Sequence, residues 1–349
     1  MAICKLCKIK EATQTGSHII PSFLMKRIDN VQGKTKRENE LGFYITDHIV
    51  KPYFGTETPT KKLEEVFGKI TDEDIENHRS PDIMDHILCP ECEKRFAFVE
   101  SQYAETLLKK QTTSYTTKID KNVSFALWMS IVWRISIAGN YGIKLSYRKE
   151  ENLRRLLNDN LVLKTKSVND LKKQAKQYRL SYRLLRCINY TENEGGFVFC
   201  KISPKEPVAI SLGEYILFLY TRKKRKKDKG FSFFGFDEFK SVSNKNNLFE
   251  DESVFVIDTN TFKSCVKNFV QHAAKIKGMS LFKQLDLIHK QLKGIGKQMP
   301  YEMKKIIIEE MINNNTLARR FNIQSMAAAL YKEVCKNKEL YPELIFQTI

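Results

Sequence analysis

The chain has 349 residues, more than one compact core usually holds, so we expect two or three domains. Eight cysteines are too few for a disulfide scaffold, and no segment approaches the roughly 18 uninterrupted apolar residues of a membrane-spanning helix. The first residues, MAICKLCK, also lack the apolar core of a secretory signal. These features favour a soluble, cytoplasmic protein without a membrane partner.

The net charge of +18 is unevenly distributed along the chain. Residues 1–110 contain 17 Lys and Arg against 18 Asp and Glu, whereas residues 111–349 contain 42 against 23. A basic excess of that size is typical of proteins that bind a polyanion, most often nucleic acid. A solvated surface without a binding role would show the same composition, so the charge leaves both interpretations open.

The N-terminal part, residues 1–110, is predicted to hold short elements around a long insertion. A cysteine knuckle is followed by a predicted strand around Ser17–Ile20, and residues 28–81 form an insertion rich in Lys, Glu, Thr and Asp. A second strand is predicted at Ile83–Leu88. From Glu91 to Lys110, apolar residues recur every three or four positions, which indicates a helix.

The remaining part, residues 111–349, is predicted to be a basic α+β domain. An apolar run over residues 122–143 contains both tryptophans and predicts a buried helix that ends at Gly139 or Gly142. Short β-type runs such as PVAISLGEYILFLYT follow later, separated by turn residues. The three predicted parts are helical over residues 111–180, β-rich over residues 181–260 and helical over residues 261–349.

Two cysteine pairs with C-x-x-C spacing suggest a metal site. Four thiolates in two such pairs are the usual ligand set of a closed, tetrahedral structural zinc site. The 81 residues between the pairs exceed the usual zinc-ribbon spacing, so the matching chemistry of the two ends carries the prediction. Four unrelated reduced cysteines and a redox dithiol are the alternatives. The predicted zinc ligands are Cys4, Cys7, Cys89 and Cys92.

The two knuckles, with SHIIP after the first and LCPEC opening a helix, resemble the HNH endonucleases of the ββα-metal type with cysteine knuckles. The resemblance covers residues 3–28 and 82–105. It implies an N-terminal HNH-like domain in which zinc staples two strands and a helix. It also implies that the histidine before IIP activates water, and that residues on the helix help to hold a divalent cation.

The resemblance assigns the general base to His18, whose neutral imidazole can take a proton from water near pH 7. Ser17 stands where that family often has an acidic ligand, and Asp85 or His86 stands near the place of its middle asparagine. Glu93 takes the place of the family's last histidine, with Glu100 two turns further along the helix.

Carboxylates suit Mg²⁺ or Mn²⁺, so the resemblance implies a catalytic cation on Glu93 and Glu100, with Asp85 as an alternative ligand. Both glutamates lie among Lys and Arg and could equally be solvated. His86 is better explained as a hydrogen-bonded residue at a strand end. For His18, a hydrogen bond to the zinc thiolates is the alternative role.

The sequence contains two further candidates for contacts with nucleic acid. Residues 313–334 resemble a helix-turn-helix with Ser325 as N-cap of the second helix, although a helical hairpin that completes a core would show the same pattern. A run of Lys and Arg lies at a predicted hairpin tip and could contact phosphates. The predicted nucleic-acid contacts are Arg222, Lys223, Lys224, Arg225, Arg319 and Arg320.

From these features the chain is predicted to be a metal-dependent HNH-type endonuclease with a regulatory or target-binding C-terminal region, as in bacterial or phage defence. Its expected cofactors are structural Zn²⁺ and catalytic Mg²⁺ or Mn²⁺. DNA is favoured over RNA as the substrate by the resemblance alone, and a homo-oligomer or a partner protein stays open. The alternative is a non-catalytic, zinc-stapled protein that binds nucleic acid or acts as an adaptor.

Overall fold

The computed structural model combines helices with mainly antiparallel strands, in agreement with the predicted α+β class. None of the helices in its described part has the length and apolar character needed to cross a bilayer. The structure describes residues 2–25, 41–45, 50–54, 61, 63–64, 83–107, 113–139, 143–162, 167–187, 198–200, 208–221, 246–313 and 323–344.

The elements are numbered in chain order. The strands are β1 (Ser17–His18), β2 (Leu41–Ile45), β3 (Val50–Phe54), β4 (Ile83–Met84), β5 (Tyr115–Thr116), β6 (Leu161–Val162), β7 (Ser167–Val168), β8 (Ser181–Arg186), β9 (Val198–Cys200), β10 (Val208–Leu212), β11 (Tyr215–Tyr220) and β12 (Ser253–Val256). The helices are α1 (Ser22–Met25), α2 (Pro90–Ala104), α3 (Lys121–Ala138), α4 (Tyr147–Asn160), α5 (Lys172–Tyr178), α6 (Thr259–Gln291), α7 (Tyr301–Asn313) and α8 (Ile323–Lys336). Two 3₁₀ turns cover Glu105–Leu107 and Lys338–Leu340.

The first strand pairs with the strand that precedes α2. β1 and β4 are antiparallel, with Ser17 opposite Met84 and His18 opposite Ile83. The observed β1 is two residues shorter than predicted, since Ile19 and Ile20 lie beyond it as buried residues. Their apolar character therefore reflects burial and not a longer strand. The predicted helix from Glu91 agrees with α2 and the 3₁₀ turn after it.

A six-stranded sheet occupies the middle of the chain, in the order β5-β12-β8-β11-β10-β9. All its pairs are antiparallel except β12 with β8, which is parallel. Every residue of β10 is buried, as are the first five of β11, which explains why their sequences are almost entirely apolar. A two-residue turn joins them, and its Gly213 has a φ of 53°, a conformation that glycine adopts without a steric penalty.

The predicted buried helix is α3, which contains both tryptophans. It begins after Asp120, whose side chain accepts a hydrogen bond from the Asn122 backbone N–H. It ends at Gly139, with a φ of 70°, one of the two predicted ends. Helix α2 packs on α3 through aromatic contacts. The Phe96 and Trp133 ring centres lie 6.0 Å apart, and the Tyr103 ring contacts that of Trp128.

A buried carboxylate, Glu252, joins α2 and α3 to the sheet. Its Oε2 accepts a hydrogen bond from the Tyr103 hydroxyl at 2.8 Å. Its Oε1 accepts one from Trp128 Nε1 at 2.7 Å and one from the Tyr182 hydroxyl at 2.6 Å. Burial raises the pKa of Glu252 above the ordinary value of 4.5, and these three donors oppose that shift.

The chain separates into two compact units. Unit 1 comprises residues 1–44, 53–58 and 78–270, and unit 2 comprises residues 45–52, 59–77 and 271–349. The predicted boundary after residue 110 lies within the sequence range of unit 1, where α2 packs on α3. The predicted domain ranges stay predictions.

In unit 2, α7 and α8 share one apolar core, which includes Ile307, Met311 and Ala329. Ser325 is the third residue of α8 and not its N-cap, so that detail of the predicted helix-turn-helix is wrong. Residues 314–322, which would form most of its first helix, lie outside the described part of the chain.

Candidate metal centre

The four cysteines of the two C-x-x-C pairs meet in unit 1. Their sulfur atoms all lie within 4.8 Å of one another, and the Cys7 and Cys89 sulfurs are 4.0 Å apart. A tetrahedral zinc with bonds of about 2.3 Å separates its sulfurs by roughly 3.8 Å, so a small contraction would close this cluster around an ion. All four are free thiols, and all but the half-buried Cys7 are buried. The donor set therefore fits zinc, as predicted.

Backbone hydrogen bonds shape the two knuckles. In the first, the Lys8 N–H donates to the Cys4 carbonyl at 3.0 Å, and Lys8 has a φ of 58° that turns the chain sharply. The Lys5 N–H donates to the Ile87 carbonyl, which ties the first knuckle to the second.

The second knuckle coincides with the start of α2. Cys89 is the N-cap residue, and Pro90 occupies the first helical position, where its missing N–H needs no partner. Cys92 then lies in the first turn of the helix, which brings both thiols of this pair to one end of α2. The sequence LCPEC therefore determines a helix start as well as a ligand pair.

The pKa values of the thiols differ within the cluster. The Cys92 thiol donates to Cys4, which lowers the pKa of Cys4 to about 4. The same hydrogen bond, together with burial, raises the pKa of Cys92 well above its usual range, and burial raises the pKa of Cys89. Four close thiolates repel one another unless a cation lies between them. Binding of zinc would thus release the protons of the remaining thiols.

Basic side chains attach both knuckles to α4. Arg95 Nη1 lies 3.8 Å from the Cys92 sulfur and 3.2 Å from Asn158 Oδ1. Arg154 donates to the Leu6 carbonyl at 2.6 Å and pairs with Glu151, and this pairing holds the pKa of Glu151 well below its usual range. The cluster is therefore supported by a helix outside the two knuckles.

The second part of the site lies around His18, which is half-buried at the end of β1. The hydroxyl of its neighbour Ser17 donates to Glu93 Oε2 at 3.0 Å. Burial raises the pKa of Glu93, while the Ser17 hydrogen bond and the charge of Arg134 oppose the shift. Glu93 thus contacts Ser17, the residue next to the predicted base in β1. Among the described residues, the four cysteines are the only group of three or more potential metal ligands that lie close together.

Glu100 lies two turns further along α2 and forms an ion pair with Arg134, at 2.8 Å between Oε1 and Nη2. The same guanidinium donates through Nη1 to the His18 carbonyl at 2.8 Å. Arg134 is not among the residues predicted from the sequence. Its signal was a lone arginine within the apolar helix sequence SIVWRISIA, because a charge in a buried helix requires partners.

Two further candidate residues lie in the turn between β4 and α2. Both form hydrogen bonds to the chain segment that precedes β1. Asp85 is exposed, and its Oδ1 accepts from the Gly16 N–H at 2.7 Å. His86 has a φ of 58°, its N–H donates to the Gln14 carbonyl, and its ring Nδ1 lies 3.2 Å from the Ala12 carbonyl oxygen. These contacts give both residues a role in joining the two segments.

The six residues predicted to contact nucleic acid, in the ranges 222–225 and 319–320, lie outside the described part of the chain. No family model, curated protein or solved structure matches this chain.

Proposed function

We propose that the chain is a metal-dependent endonuclease of the HNH type that hydrolyses phosphodiester bonds in DNA. The observation that carries this proposal is the arrangement of β1, β4 and α2 around the four cysteines. Two paired strands and the helix that follows them are joined at one end by four thiols. His18 lies on the first of these strands, in the position that the resemblance gives to the general base.

In this proposal the two parts of the site have different tasks. Zinc on the four thiolates stabilises the fold, because a closed four-sulfur site leaves no ligand position for a substrate. His18 accepts a proton from the water molecule as its oxygen attacks phosphorus. Glu93, with Asp85 or Glu100, would hold Mg²⁺ or Mn²⁺, which supplies stabilisation of the negative charge on the phosphate and the leaving oxygen.

DNA is proposed as the substrate from the resemblance and from the basic charge of residues 111–349. Lysine and arginine that replace condensed counterions make such binding strongly dependent on salt. Control of cleavage by that region, as in a defence nuclease, is part of the same proposal. An NTP-independent reaction is expected, since no phosphate-binding glycine loop is present in the sequence.

The second candidate is a non-catalytic, zinc-stapled protein that binds nucleic acid or acts as an adaptor. The contacts of two proposed ligands favour this candidate. Asp85 already accepts a hydrogen bond from the Gly16 N–H, and Glu100 already pairs with Arg134. A serine at position 17, in the place of an acidic ligand, favours it as well.

Plasmid cleavage in the presence of Mg²⁺ or Mn²⁺, compared with a chelator, tests the proposal. The wild-type chain is expected to nick or linearise the plasmid only with the metal present. A Glu250→Ala variant is the control, because it removes an exposed carboxylate outside β1, β4 and α2. It should cleave as the wild type does. DNA binding without cleavage, at any concentration of either metal, would support the second candidate.

A further inference from the structure

We propose that Arg134 is a positioning residue of the site, and that Glu100 is its anchor and not a ligand of the catalytic cation. This inference rests on the proposed function and narrows its choice of ligands. It would assign the cation to Glu93, which the Ser17 hydroxyl orients. It also makes α3 part of the site, although α3 lies outside the motif that suggested the nuclease.

Both terminal nitrogens of the Arg134 guanidinium have partners within unit 1. Nη1 donates to the His18 carbonyl at 2.8 Å, and Nη2 lies 2.8 Å from Glu100 Oε1 and 3.2 Å from Ser130 Oγ. The guanidinium carbon lies 5.0 Å from the centre of the Phe96 ring. Arg134 is only 1% exposed, so these partners replace its water. A buried charge of this kind persists only where it is paired and hydrogen-bonded.

The ion pair with Arg134 argues against Glu100 as a ligand of the cation. If Glu100 turned to bind a divalent cation, the buried guanidinium would lose its carboxylate and remain uncompensated, which is strongly unfavourable. This cost favours Glu93 over Glu100 as the ligand of the cation.

The bond to the carbonyl of His18 gives Arg134 its positioning role. It fixes the main chain at the end of β1, and the imidazole of His18 projects from that same residue. A displacement of about 1 Å at a reacting group can lower a rate by about 10²-fold. Arg134 therefore acts through His18 without touching the substrate.

The first test uses Mn²⁺ binding to the full-length, zinc-loaded protein, measured from the spectrum of free Mn²⁺. Glu93→Gln should weaken binding by at least about tenfold, the lower end for the loss of a metal-site interaction. Glu100→Gln keeps the size of the side chain and should leave Mn²⁺ affinity unchanged. An equal loss in the two variants would show that Glu100 is a ligand and overturn the assignment.

The second test separates positioning from folding. Arg134→Lys keeps the positive charge, but a single ammonium group cannot reproduce the planar fork that reaches both partners. The double variant Arg134→Met with Glu100→Gln removes both charges, so that neither is left buried and unpaired. Both variants should keep their zinc and their KM for DNA, and should lose kcat by about 10²-fold. A folded double variant with the kcat of the wild type would overturn the positioning role.

A spectroscopic readout keeps the inference separate from the proposed function. In a protein labelled at its histidine rings, the signal of His18 is the one missing from the His18→Ala variant. Arg134→Lys should shift that signal, whether or not the wild type cleaves DNA. If the wild type is inactive and the shift is present, the proposed function fails while the contact stands. An unchanged His18 signal would overturn the inference itself.

Discussion

The two ends of α2 are fixed by buried polar clusters of opposite character. At its start, four thiols approach one another and find their hydrogen-bond partners largely among themselves. At its end, the Tyr103 hydroxyl, the Trp128 indole and the Tyr182 hydroxyl donate to one buried carboxylate, Glu252. The second cluster is complete with protein atoms alone, whereas the first has the donor set that a metal ion completes. A candidate metal site thus differs from a structural network in its hydrogen bonds: the three donors around Glu252 all have an acceptor, whereas the four thiols have few partners besides one another.

The largest expected effect comes from breaking the thiol cluster. Cys89→Ser should lose the bound zinc and destabilise the N-terminal part of unit 1, because the binding free energy of structural zinc, about 10–16 kcal/mol in small domains, is folding free energy. Metal analysis of protein purified without added metal, followed by thermal unfolding, measures both effects. Cys335→Ser, a half-buried cysteine outside the cluster, is the control and should keep one zinc per chain. Full zinc loading in a Cys4 and Cys7 double variant would contradict the shared site.

A smaller effect is expected at the other end of α2. Glu252→Ala would leave three buried donors without their acceptor, and we expect a loss of about 3 kcal/mol or more in the free energy of unfolding. The zinc content should stay unchanged, because the two clusters have no ligand in common. Glu250→Ala removes an exposed carboxylate two residues away and should unfold as the wild type does. A parallel loss of zinc in Glu252→Ala would show that the two ends are not independent.

The smallest effect is a dependence of stability on pH that comes from Glu252. Burial raises its pKa in the folded state above 4.5, so the folded chain holds this proton over a range in which the unfolded chain has released it. The contribution of Glu252 to stability is therefore present at low pH and is lost as the pH rises through the folded-state pKa.

Glu252→Gln removes this titration and keeps an oxygen that can accept from Trp128 and Tyr182, while its amide can donate to the Tyr103 hydroxyl. Relative to the wild type, the variant should gain up to about 1.4 kcal/mol of unfolding free energy per pH unit within that range. Denaturant unfolding at a series of pH values measures the difference. A difference that is constant with pH would show that Glu252 does not titrate with folding.

The same comparison shows what could be predicted from the sequence. The C-x-x-C spacing identified all four thiols, since each pair is local and the chemistry of both pairs matches. The apolar runs predicted α3, β10 and β11, because their burial follows from local composition. The role of Glu252 could not be predicted, since its partners lie 70, 124 and 149 positions away and form no local pattern.

The residues of the candidate site also differ in whether they could be predicted from the sequence. His18 and Glu93 were predicted from the two knuckle motifs, and the structure places Glu93 in contact with Ser17, the chain neighbour of His18. Arg134 reaches the His18 carbonyl across 116 positions, which only the packing of α3 could reveal. The parallel pairing of β12 with β8 is likewise a property of the assembled sheet and not of either strand sequence.

In the proposed function, the thiols have a structural role and His18 a chemical one. The most direct test measures zinc content and plasmid cleavage in the same preparations of His18→Ala and Cys7→Ser. His18→Ala should fold, keep its zinc and its DNA affinity, and lose cleavage by about 10²–10⁴-fold, the range for removal of a general base. Cys7→Ser should lose zinc, stability and cleavage together. Loss of zinc or unfolding of His18→Ala, or cleavage by it as fast as by the wild type, would contradict these two roles.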